Sequence, residues 1–468
     1  MTASFLARLT EILGPSGLLT ADVDMKAYLE EERSLYRGEA VAVARPANTE
    51  QVAAVVALCA EHQVSIVPQG GNTGLCGGAS PDTSGDQLVL SLGRMNKVRS
   101  VDPLNFTMTV EAGVILQTIQ QRADAAGCLF PLSLGAEGSC QIGGNISTNA
   151  GGSGVLRYGN TRDLVLGLEV VLPDGQIWDG LRALRKDNTG YDLKQLFIGG
   201  EGTLGIITAA VIKLFPKPRD VSTAFCALET PDAVLSLLAR ARAATGDQVT
   251  AFEFLHRACL DLDLEHLPIQ DPFSDAYPWY VLIELSTSRP DAALKDTLET
   301  LLGDAIEAGD VVDAVIANSI EQRNALWRIR EGIPEAQKKA GGSIKHDISV
   351  PVSSVPEFLR RATPAIQAAL PDARVIPFGH VGDGNIHYNL SQAKGGDKAA
   401  FLAQWEKANR IVHDIVVDLR GSISAEHGIG KLKKGELAHY KASLELDVMR
   451  KIKAALDPLG LMNPGKVL

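Results

Sequence analysis

Two histidines flanking a predicted turn are the residues whose types and spacing most clearly allow metal chemistry. The segment RVIPFGHVGDGNIHYNL spans residues 374–390, and its Asp-Gly dipeptide at 383–384 predicts a two-residue hairpin turn. Counting outward from that turn places His380 opposite His387, and residues directly opposed on one face have Cβ atoms about 4.5–5.5 Å apart. A single histidine is more often a hydrogen-bonded polar group, but two opposed imidazoles can share one metal ion.

The same hairpin carries two further signals. Asn389 lies two residues beyond His387 and therefore on the same face of its strand. Pro377 has no N–H to donate to a ladder, so we expect its strand to lie at a sheet edge or to contain a bulge.

An adjacent glutamate and histidine could complete such a site. RGSISAEHGIGK (420–431) contains Glu426 and His427 directly before two glycines. In a regular strand the two side chains would point to opposite faces. The glycines instead favour an irregular backbone, from which both side chains could reach one site. A lone Glu-His pair is weak evidence, and a solvated polar pair is the alternative interpretation.

Glycine is concentrated in the segments 70–78, 135–159 and 199–205. VSIVPQGGNTGLCGG (64–78) is typical of a strand followed by a glycine loop. Successive backbone N–H groups in such a loop can form an anion-binding nest, for which a diphosphate is the natural guest. A plain surface turn is the alternative, but it needs fewer glycines.

A second glycine motif imitates a nicotinamide dinucleotide site. Gly200, Gly202 and Gly205 in GGEGTLGIIT have G-x-G-x-x-G spacing, but that fingerprint requires a helix after the glycines. The following IITAAVIKLF is rich in β-branched residues and predicts a strand. We therefore reject a dinucleotide fingerprint here.

Two cations could bind an anionic substrate. LWRIREGIPEAQKKAGGSIKHDISVPV (326–352) begins with a helical pattern, continues as a strand entry, and carries Arg330 and Lys345. An arginine offers a planar fork that fits a carboxylate. Surface cations are common, so either residue alone carries little weight.

The whole chain excludes several classes of function. The formal net charge of −11 over 468 residues argues against nucleic-acid binding. The six cysteines show neither metal nor disulfide spacing, which indicates reduced, buried thiols. No apolar run approaches the ~20 residues of a membrane span. Residues 1–14 form an amphipathic pattern without the features of a signal or transit peptide. We therefore expect a cytoplasmic protein that does not span a membrane.

Hydrophobic periodicity predicts the elements that must position these motifs. TEQVAAVVALCAEH predicts a helix at 49–62 capped by Asn48 or Thr49, and WYVLIELST predicts a strand at 279–287. Two prolines in FPKPRD (215–220) indicate a domain boundary. The alternation of helices and strands is that of an α+β chain.

The stretch PLSLGAEGSCQIGGNISTNAGGSGVLRYGNTRDLVLGLEVVLPDG (131–175) resembles the FAD-binding domain of the vanillyl-alcohol oxidase and cresol-hydroxylase type. The loop at 68–78, FIGGEGTLGIIT (197–208) and LDPLGLMNPGKVL (456–468) resemble it too, so that the resemblance covers nearly the whole chain. It is tighter to one branch, the FAD-linked D-lactate and D-2-hydroxyglutarate dehydrogenases.

The resemblance implies an α+β fold with three parts. Residues 1–218 would form a two-lobed FAD-binding domain. Residues 219–425 would form a substrate- and metal-binding domain, with an antiparallel sheet covered by helices. Residues 426–468 would return to the FAD domain.

The resemblance also implies the residues that bind FAD. The first glycine loop would cradle the diphosphate, and the stretch from 135 to 152 would wrap the flavin. Some relatives link the flavin covalently through a histidine in the first loop, where this chain has Asn72 and Thr73, so we expect noncovalent FAD. The full implied set is Pro68, Gly70, Gly71, Asn72, Thr73, Gly74, Leu134, Gly135, Gly138, Ser139, Gly143, Gly144, Asn145, Ser147, Gly151, Gly152, Tyr158, Glu201, Gly205, Ile206 and Asn463.

GHVGDGNIH and GSISAEHGIG match the motifs that bind a divalent metal in this family. The match implies His380, His387 and Glu426 as metal ligands and His427 as the catalytic acid/base. Zinc suits such N,N,O ligation, and manganese or iron also fit the ligand types.

The resemblance likewise implies that Arg330 and Lys345 hold the substrate carboxylates and that Asn389 contacts the substrate. Pro334 is a departure, because some 2-hydroxyglutarate enzymes have a hydroxyl residue at that position. Proline offers no side-chain donor, which leaves the grip on a distal carboxylate open.

The implied reaction is FAD-dependent, metal-assisted oxidation of a D-2-hydroxy acid to the 2-oxo acid, with hydride transfer to flavin N5. D-2-hydroxyglutarate is the favoured substrate, with D-lactate or D-malate as alternatives. A zinc hydrolase could use the same His/His/Glu set but needs no glycine-rich segments. A covalent-flavin sugar oxidase should have the flavin-linking histidine that is missing. The implied electron acceptor is an electron-transferring flavoprotein or a quinone-linked carrier. The sequence leaves the oligomeric state open, and a homodimer is one alternative.

Overall fold

The computed structural model describes residues 2–468 and, apart from positions 2, 3 and 247, their side chains. Its contacts divide the chain into two units. The first unit contains Met1–Gly151, Asn160–Lys217 and Glu426–Leu468, and the second contains Gly152–Gly159 and Pro218–Ala425. A short segment of the predicted flavin-binding stretch, 152–159, therefore belongs to the second unit, which the sequence did not indicate.

The helices are numbered in chain order. Short 3₁₀ helices occur at Pro15–Gly17, Gly246–Gln248 and Val352–Ser354. The α-helices are α1 (Thr2–Leu13), α2 (Asp22–Leu29), α3 (Thr49–His62), α4 (Leu116–Ala125), α5 (Ile142–Ser147), α6 (Val155–Tyr158), α7 (Thr161–Leu164), α8 (Lys194–Phe197), α9 (Pro231–Thr245), α10 (Arg257–His266), α11 (Leu294–Glu307), α12 (Ile320–Ala340), α13 (Val355–Ala369), α14 (Lys398–Leu402), α15 (Trp405–Asp418), α16 (Lys434–Tyr440) and α17 (Ser443–Leu456).

The strands are numbered in the same way. They are β1 (Leu18–Leu19), β2 (Ala42–Ala44), β3 (Ile66–Gln69), β4 (Leu88–Ser91), β5 (Val98–Asp102), β6 (Thr107–Glu111), β7 (Cys128–Leu129), β8 (Val165–Val171), β9 (Ile177–Gly180), β10 (Ile206–Lys213), β11 (Phe215–Pro216), β12 (Asp220–Leu228), β13 (Val249–His256), β14 (Trp279–Thr287), β15 (Asp313–Ile316), β16 (Ser343–Ile344), β17 (Asp347–Ser349), β18 (Arg374–Gly379) and β19 (Asn385–Ser391).

The first unit contains two main sheets. The first sheet has the order β1-β2-β4-β3, in which β2, β4 and β3 run parallel. All four residues of β4 are buried, as is usual for a parallel strand covered on both faces. The second sheet, β5-β6-β10-β8-β9, is antiparallel. Apolar side chains from α1 and α3, including Phe5, Leu9, Val52 and Val56, belong to one buried cluster with the strands.

Two predictions about local structure are confirmed in this unit. Helix α3 covers the predicted residues, and the Asn48 side chain caps it by accepting a hydrogen bond from the Gln51 amide at 2.8 Å. The residues after Gly205 form β10, a strand inside the second sheet. This confirms that the G-x-G-x-x-G spacing is not a dinucleotide fingerprint, because no helix follows the glycines.

The second unit is built on one antiparallel sheet with the order β15-β12-β14-β13-β18-β19-β16, and β17 also pairs with β19. Strand β14 has the predicted bounds, and eight of its nine residues are buried. Side chains from α10 and α12, among them Leu260, Ile329 and Ile333, share a buried cluster with Phe225 and Tyr280 of the sheet. The unit is therefore a helix-covered antiparallel sheet.

The predicted hairpin forms, but its expected register is wrong. Phe378 pairs with His387, which is a shift of two residues from the expected pairing. His380 lies after the end of β18, in a connection at 380–384 that is longer than a two-residue turn. Gly384 has a φ of 85°, and a Cβ there would collide with the Val350 carbonyl oxygen. Packing against a distant segment thus sets the loop, and local turn rules do not detect it.

Pro377 lies in an interior strand, which corrects the expectation of an edge or a bulge. Strand β18 pairs with β13 only through Phe378 and Gly379. The ladder on that side therefore ends before Pro377, and the missing N–H of proline costs no hydrogen bond.

Within residues 2–468, no helix is long and apolar enough to cross a bilayer. All six cysteines are buried, and no disulfide joins any of them in the same range. Burial raises the pKa of the Cys59 and Cys226 thiols to about 12, so both are protonated at neutral pH. This confirms the prediction of reduced, buried thiols.

A buried carboxylate connects three elements of the first unit. Glu169 on β8 accepts hydrogen bonds from Thr49 at 2.6 Å and Thr208 at 2.8 Å and pairs with Arg99 at 3.1 Å. Burial alone would raise the pKa of Glu169, but hydrogen bonds from these partners and the Arg99 charge outweigh it and lower that pKa.

We predict that Glu169→Ala lowers the free energy of unfolding by about 2–3 kcal/mol, because it strands a partly buried arginine and two hydroxyls. The loss should shrink as the pH falls below the unfolded-state value of 4.5 toward the lower folded-state pKa, because a depressed carboxyl pKa contributes its full stability only above the unfolded-state pKa. Urea unfolding measures this. Asp187→Ala, which breaks the exposed Arg182–Asp187 pair, should leave the midpoint unchanged. Equal effects of the two variants would contradict the prediction.

Candidate active site

The first unit brings together segments that are distant in sequence and were expected to bind FAD. A Cβ at Gly71 would collide with the Ser139 carbonyl oxygen, so only glycine lets the first loop approach the second glycine-rich segment. From the C-terminal part of the chain, Asn463 Nδ2 donates to the carbonyl oxygens of Gly78 at 2.9 Å and Glu201 at 2.8 Å. The first loop, the segment around Glu201 and the C-terminal segment therefore meet at Asn463.

The same segments contain features of a cradle for a polar group. A Cβ at Gly74, Gly135 or Gly144 would meet no atom within 4 Å. Within residues 2–468, the buried oxygens without a hydrogen-bond partner include those of the side-chain amides of Gln141, Asn145 and Asn463. Buried amide oxygens usually have partners. Space beside a glycine backbone together with unsatisfied polar atoms fits a large polar cofactor, so these residues fit FAD.

Other glycines in the expected set are explained by packing within the protein. A Cβ at Gly143 would lie 2.7 Å from the Ala112 side chain, and one at Gly205 would lie 2.9 Å from Val170. Gly151 is in close contact with the Glu426 side chain. Their direct contact with FAD stays a prediction, as it does for Pro68, Gly70, Thr73, Leu134, Gly138, Ser139, Ser147 and Ile206.

Three of the expected cofactor residues have positions that the sequence did not indicate. Asn72 uses its side-chain amide to hold the end of α2, through the carbonyl oxygens of Ala27 at 3.2 Å and Glu30 at 2.8 Å. Gly152 and Tyr158 lie in the second unit.

Glu201 holds the loop that follows His427. Its two carboxylate oxygens accept hydrogen bonds from the amides of Ile429 and Gly430, each at 2.7 Å. Burial raises the pKa of this carboxyl, and the two backbone hydrogen bonds only partly offset the rise. Glu426 and His427 themselves lie in irregular backbone, as the neighbouring glycines predict. The carboxylate of Glu201 therefore stabilises this loop, and its contact with FAD stays a prediction.

The second unit brings the two predicted metal-binding histidines together. The rings of His380 and His387 have centroids 5.5 Å apart and are nearly perpendicular. His380 Nδ1 lies 2.7 Å from Glu253 Oε1, and His387 Nδ1 lies 3.9 Å from Asp347 Oδ1. Turning Nδ1 toward a carboxylate directs Nε2 to the other side of each ring, as in ligating histidines. The donor types and orientation fit a divalent metal.

Glu426 follows the second unit directly in the chain. The amide of Ala425, its last residue, donates to the Asp347 carbonyl oxygen at 3.2 Å. Asp347 in turn pairs with His387 in the sheet. The assignment of Glu426 as the third ligand stays a prediction that is consistent with this connectivity.

Arg330 on α12 is held in a defined orientation and is only 8% exposed. Its Nε donates to Glu253 Oε2 at 2.8 Å, and its guanidinium carbon lies 4.8 Å from the centre of the Phe378 ring. Within residues 2–468 its two terminal nitrogens make no hydrogen bond, and their contact with a substrate stays a prediction. The missing N–H of Pro334, four residues later, also removes a helical hydrogen bond to the Arg330 carbonyl.

The other two expected substrate residues also lie in the second unit. Asn389 on β19 is buried, and its Nδ2 donates to Gln337 Oε1 of α12 at 2.9 Å. Lys345 lies between β16 and β17 and is half-buried. Gln337 therefore fixes the orientation of the Asn389 amide.

Glu253 was missed by the sequence analysis. It is 1% exposed and joins Arg330 to His380. Burial alone would raise the pKa of its carboxyl, but the charges of His380 and Arg330 and their hydrogen bonds outweigh it, so the pKa lies below its ordinary value. The available signal was a single acidic residue inside the apolar strand AFEFL, because a buried charge requires a partner.

Matches to known families and structures fit this geometry. The model for the C-terminal domain of FAD linked oxidases matches residues 217–467, and that for an FAD binding domain matches 40–180. The mitochondrial D-2-hydroxyglutarate dehydrogenase of Arabidopsis thaliana is 41% identical over 98% of this chain and 80% of its own length. The D-2-hydroxyglutarate dehydrogenase of Xanthomonas citri pv. viticola is 38% identical over 100% of this chain and 97% of its own.

Solved structures of low identity share the fold. p-Cresol methylhydroxylase with substrate bound has a TM-score of 0.77 at 15% identity, covering 99% of this chain and 96% of its own. 4-Ethylphenol oxidase from Gulosibacter chungangensis has a TM-score of 0.73 at 18% identity, covering 99% and 96%.

The fold is thus the α+β fold of the vanillyl-alcohol oxidase-type flavoproteins, as the sequence predicted. The chain belongs to the FAD-linked D-2-hydroxy acid dehydrogenase family and is an FAD-dependent dehydrogenase.

A second buried carboxyl, that of Asp263, lies near Arg330 of α12, and its pKa lies above the ordinary value. Asp263 on α10 is fully buried, and within residues 2–468 neither of its oxygens has a hydrogen-bond partner. Burial raises the pKa of Asp263 to about 8, although the nearby charge of Arg330 lowers it in part.

We predict that Asp263→Asn stabilises the protein increasingly from pH 5 to pH 8. The unfolded chain loses the Asp263 proton near pH 3.8 and the folded chain near pH 8. The free energy of unfolding of the wild type therefore falls between pH 3.8 and about pH 8, by at most about 1.4 kcal/mol per pH unit. Below pH 3.8 Asp263 is protonated in both states and does not change it. Thermal unfolding midpoints of both proteins across this range measure the effect.

The exposed Asp291 provides the control for this experiment. Asp291→Asn should give the same midpoint difference at every pH. A difference for Asp263→Asn that stays flat from pH 5 to pH 8 would show that Asp263 titrates normally.

Proposed function

We propose that the protein oxidises D-2-hydroxyglutarate to 2-oxoglutarate with FAD, assisted by a divalent metal held by His380, His387 and Glu426. The observation that carries the proposal is the position of Arg330, whose terminal nitrogens are left for a ligand while its Nε shares a carboxylate with His380. A carboxylate grip beside a metal ligand suits a 2-hydroxy acid. The names of relatives at about 40% identity favour the dicarboxylate.

The metal site is proposed from the donor set. Two imidazoles and one carboxylate give N,N,O ligation, which suits zinc and also fits manganese or iron. Bound there, a divalent ion would act as a Lewis acid and lower the pKa of the substrate hydroxyl. Glu253 Oε1 lies 2.7 Å from His380 Nδ1 and would orient that ring for ligation, and Asp347 Oδ1 lies 3.9 Å from His387 Nδ1.

The flavin site is proposed from the glycine-rich segments and Asn463. When bound, FAD would accept the C2 hydride of the substrate at N5. The first loop carries Asn72 and Thr73 where some relatives carry the flavin-linking histidine. We therefore infer noncovalent binding.

His427 is proposed as the general base that takes the hydroxyl proton of the substrate. The loop after it is held by the two hydrogen bonds from Ile429 and Gly430 to Glu201. A base must be held within hydrogen-bond reach of the proton that it removes, and this anchor restricts its backbone.

Substrate selection is proposed to depend on Arg330, Lys345 and Asn389. Arg330 would grip one carboxylate with its terminal nitrogens, and Lys345 would supply a second positive charge. The hydrogen bond to Gln337 would hold the Asn389 amide in one orientation for contact with the substrate. D-Lactate and D-malate remain the alternative substrates, because Pro334 supplies no hydroxyl for a distal carboxylate.

The other classes considered from the sequence are less well supported. A zinc hydrolase has no use for FAD, whereas matching FAD-linked domain models cover most of the chain. A covalent-flavin sugar oxidase would have a flavin-linking histidine in the first loop, where this chain has Asn72 and Thr73. We propose an electron-transferring flavoprotein or a quinone-linked carrier as the electron acceptor. We also propose a cytoplasmic location and a homodimer.

We predict that kcat/KM, measured with an artificial electron-accepting dye, is higher for D-2-hydroxyglutarate than for D-malate or D-lactate. D-Lactate lacks the second carboxylate, so a cation that binds it would contribute nothing. D-Malate tests the distance between the two carboxylates. A kcat/KM for D-lactate equal to or above that for D-2-hydroxyglutarate would contradict the substrate assignment.

We predict that His427→Ala retains FAD with an unchanged visible spectrum but loses turnover by about 10²–10⁴-fold, the usual contribution of a general base. His439→Ala removes an exposed histidine of the same C-terminal segment and should turn over like the wild type. Near-normal turnover by His427→Ala would remove His427 from the mechanism.

A further inference from the structure

We propose that Glu253 is a positioning residue, whose buried carboxylate holds Arg330 and His380 at a fixed separation. It would thereby couple the grip on a substrate carboxylate to the placement of a metal ligand. The inference rests on the proposed function, because it takes His380 as a ligand and Arg330 as a substrate-binding residue.

The two oxygens of Glu253 have separate partners. Oε2 accepts from Arg330 Nε at 2.8 Å, and Oε1 lies 2.7 Å from His380 Nδ1. Strand pairing explains the second contact, since Phe254 is opposite Gly379 and Glu253 therefore faces the residue that follows β18. One rigid, planar group thus bridges α12 and the connection after β18.

A carboxylate in this position selects one tautomer of His380. An ionised carboxylate only accepts hydrogen bonds, so the facing Nδ1 must carry the proton. In the neutral imidazole, Nε2 then keeps the lone pair that a metal requires, and the hydrogen bond fixes the plane of the ring. Glu253 would therefore prepare His380 for ligation before an ion arrives.

The same carboxylate orients Arg330. With Nε engaged by Glu253 and the guanidinium face over Phe378, only the terminal nitrogens point elsewhere. Phe378 pairs with His387 in the sheet, and their rings have centroids 5.0 Å apart. Glu253, Arg330, Phe378 and the two histidines consequently form one continuous cluster, in which a displacement of the glutamate would move both functional ends.

Glu284 on the neighbouring strand provides a matched comparison. It is also a buried glutamate bound to α12, through Arg323 at 2.7 Å and Trp327 at 2.8 Å, and it accepts from Thr223 at 2.7 Å. These partners are residues that anchor the helix to the sheet. Glu284 therefore stabilises the unit in a similar way, but it is not bonded to Arg330 or His380.

The test is Glu253→Gln in the FAD-loaded, metal-stripped protein. The glutamine amide has one acceptor oxygen, and its NH₂ group cannot accept a hydrogen bond from a second donor. One of the two contacts, to Arg330 or to His380, is therefore lost. We expect Zn²⁺ affinity, measured by competition with a chromogenic chelator, to fall about 10–100-fold, the usual effect of losing such a partner. The KM for D-2-hydroxyglutarate should rise with it, while the visible spectrum of FAD stays unchanged.

Glu284→Gln separates positioning from general stability. It should lower the thermal midpoint without changing the Zn²⁺ affinity of the folded protein. If Glu253→Gln does not yield folded flavoprotein, Glu253→Asp replaces it, because it keeps the charge and shortens the reach by one methylene. The same fall in Zn²⁺ affinity is expected for that variant.

The outcomes distinguish this inference from the proposed function. Wild-type protein that binds one Zn²⁺ in a manner weakened by His380→Ala, combined with unchanged affinity in the Glu253 variants, would overturn the role of Glu253 alone. Wild-type protein whose Zn²⁺ binding is unaffected by His380→Ala would overturn the metal site and, with it, the coupling.

Discussion

The arrangement of the proposed site in the second unit depends on the partners of one buried carboxylate, that of Glu253. Burying an ionised glutamate is costly unless hydrogen-bond donors, at least one of them of opposite charge, compensate it. Glu253 lies in the middle of an apolar strand and is compensated by Arg330 and His380. This requirement constrains the helix that carries the arginine and the loop that carries the histidine. The arginine and the histidine that are proposed to bind a substrate carboxylate and a metal are therefore positioned by the interaction that compensates the buried charge of Glu253.

The first unit is constrained by close backbone approach. Gly71 must be glycine because its neighbour across the fold is a carbonyl oxygen, and Asn463 ties the C-terminal segment to the first loop and to Glu201. Among residues 2–468, the side-chain amide oxygens of Gln141, Asn145 and Asn463 are buried without a hydrogen-bond partner. A flavin cofactor fits that arrangement, because it offers polar groups along its whole length while needing a narrow, rigid cradle.

Much of the fold was predictable from local patterns, whereas the site was predictable only in part. The bounds of α3 and β14 follow from periodicity and capping, which act within a few residues. The predicted register of the histidine hairpin was wrong, because packing of Gly384 against Val350 sets the conformation of the connection at 380–384. Glu253 was missed because its partners lie 77 and 127 residues away in the sequence. The motif residues were singled out by their types and spacing, but their roles follow from the family resemblance, since the residue types alone allowed several chemistries.

The proposed reaction requires that a D-2-hydroxy acid reduces the bound flavin, and an anaerobic visible spectrum of the purified protein measures this step. We expect a flavin spectrum that D-2-hydroxyglutarate bleaches within one turnover, while the L-enantiomer leaves it unchanged. Flavin that remains oxidised with D-2-hydroxyglutarate, D-malate and D-lactate would contradict the proposed reaction while leaving the fold intact. Bleaching by both enantiomers would contradict the proposed specificity for D-2-hydroxy acids.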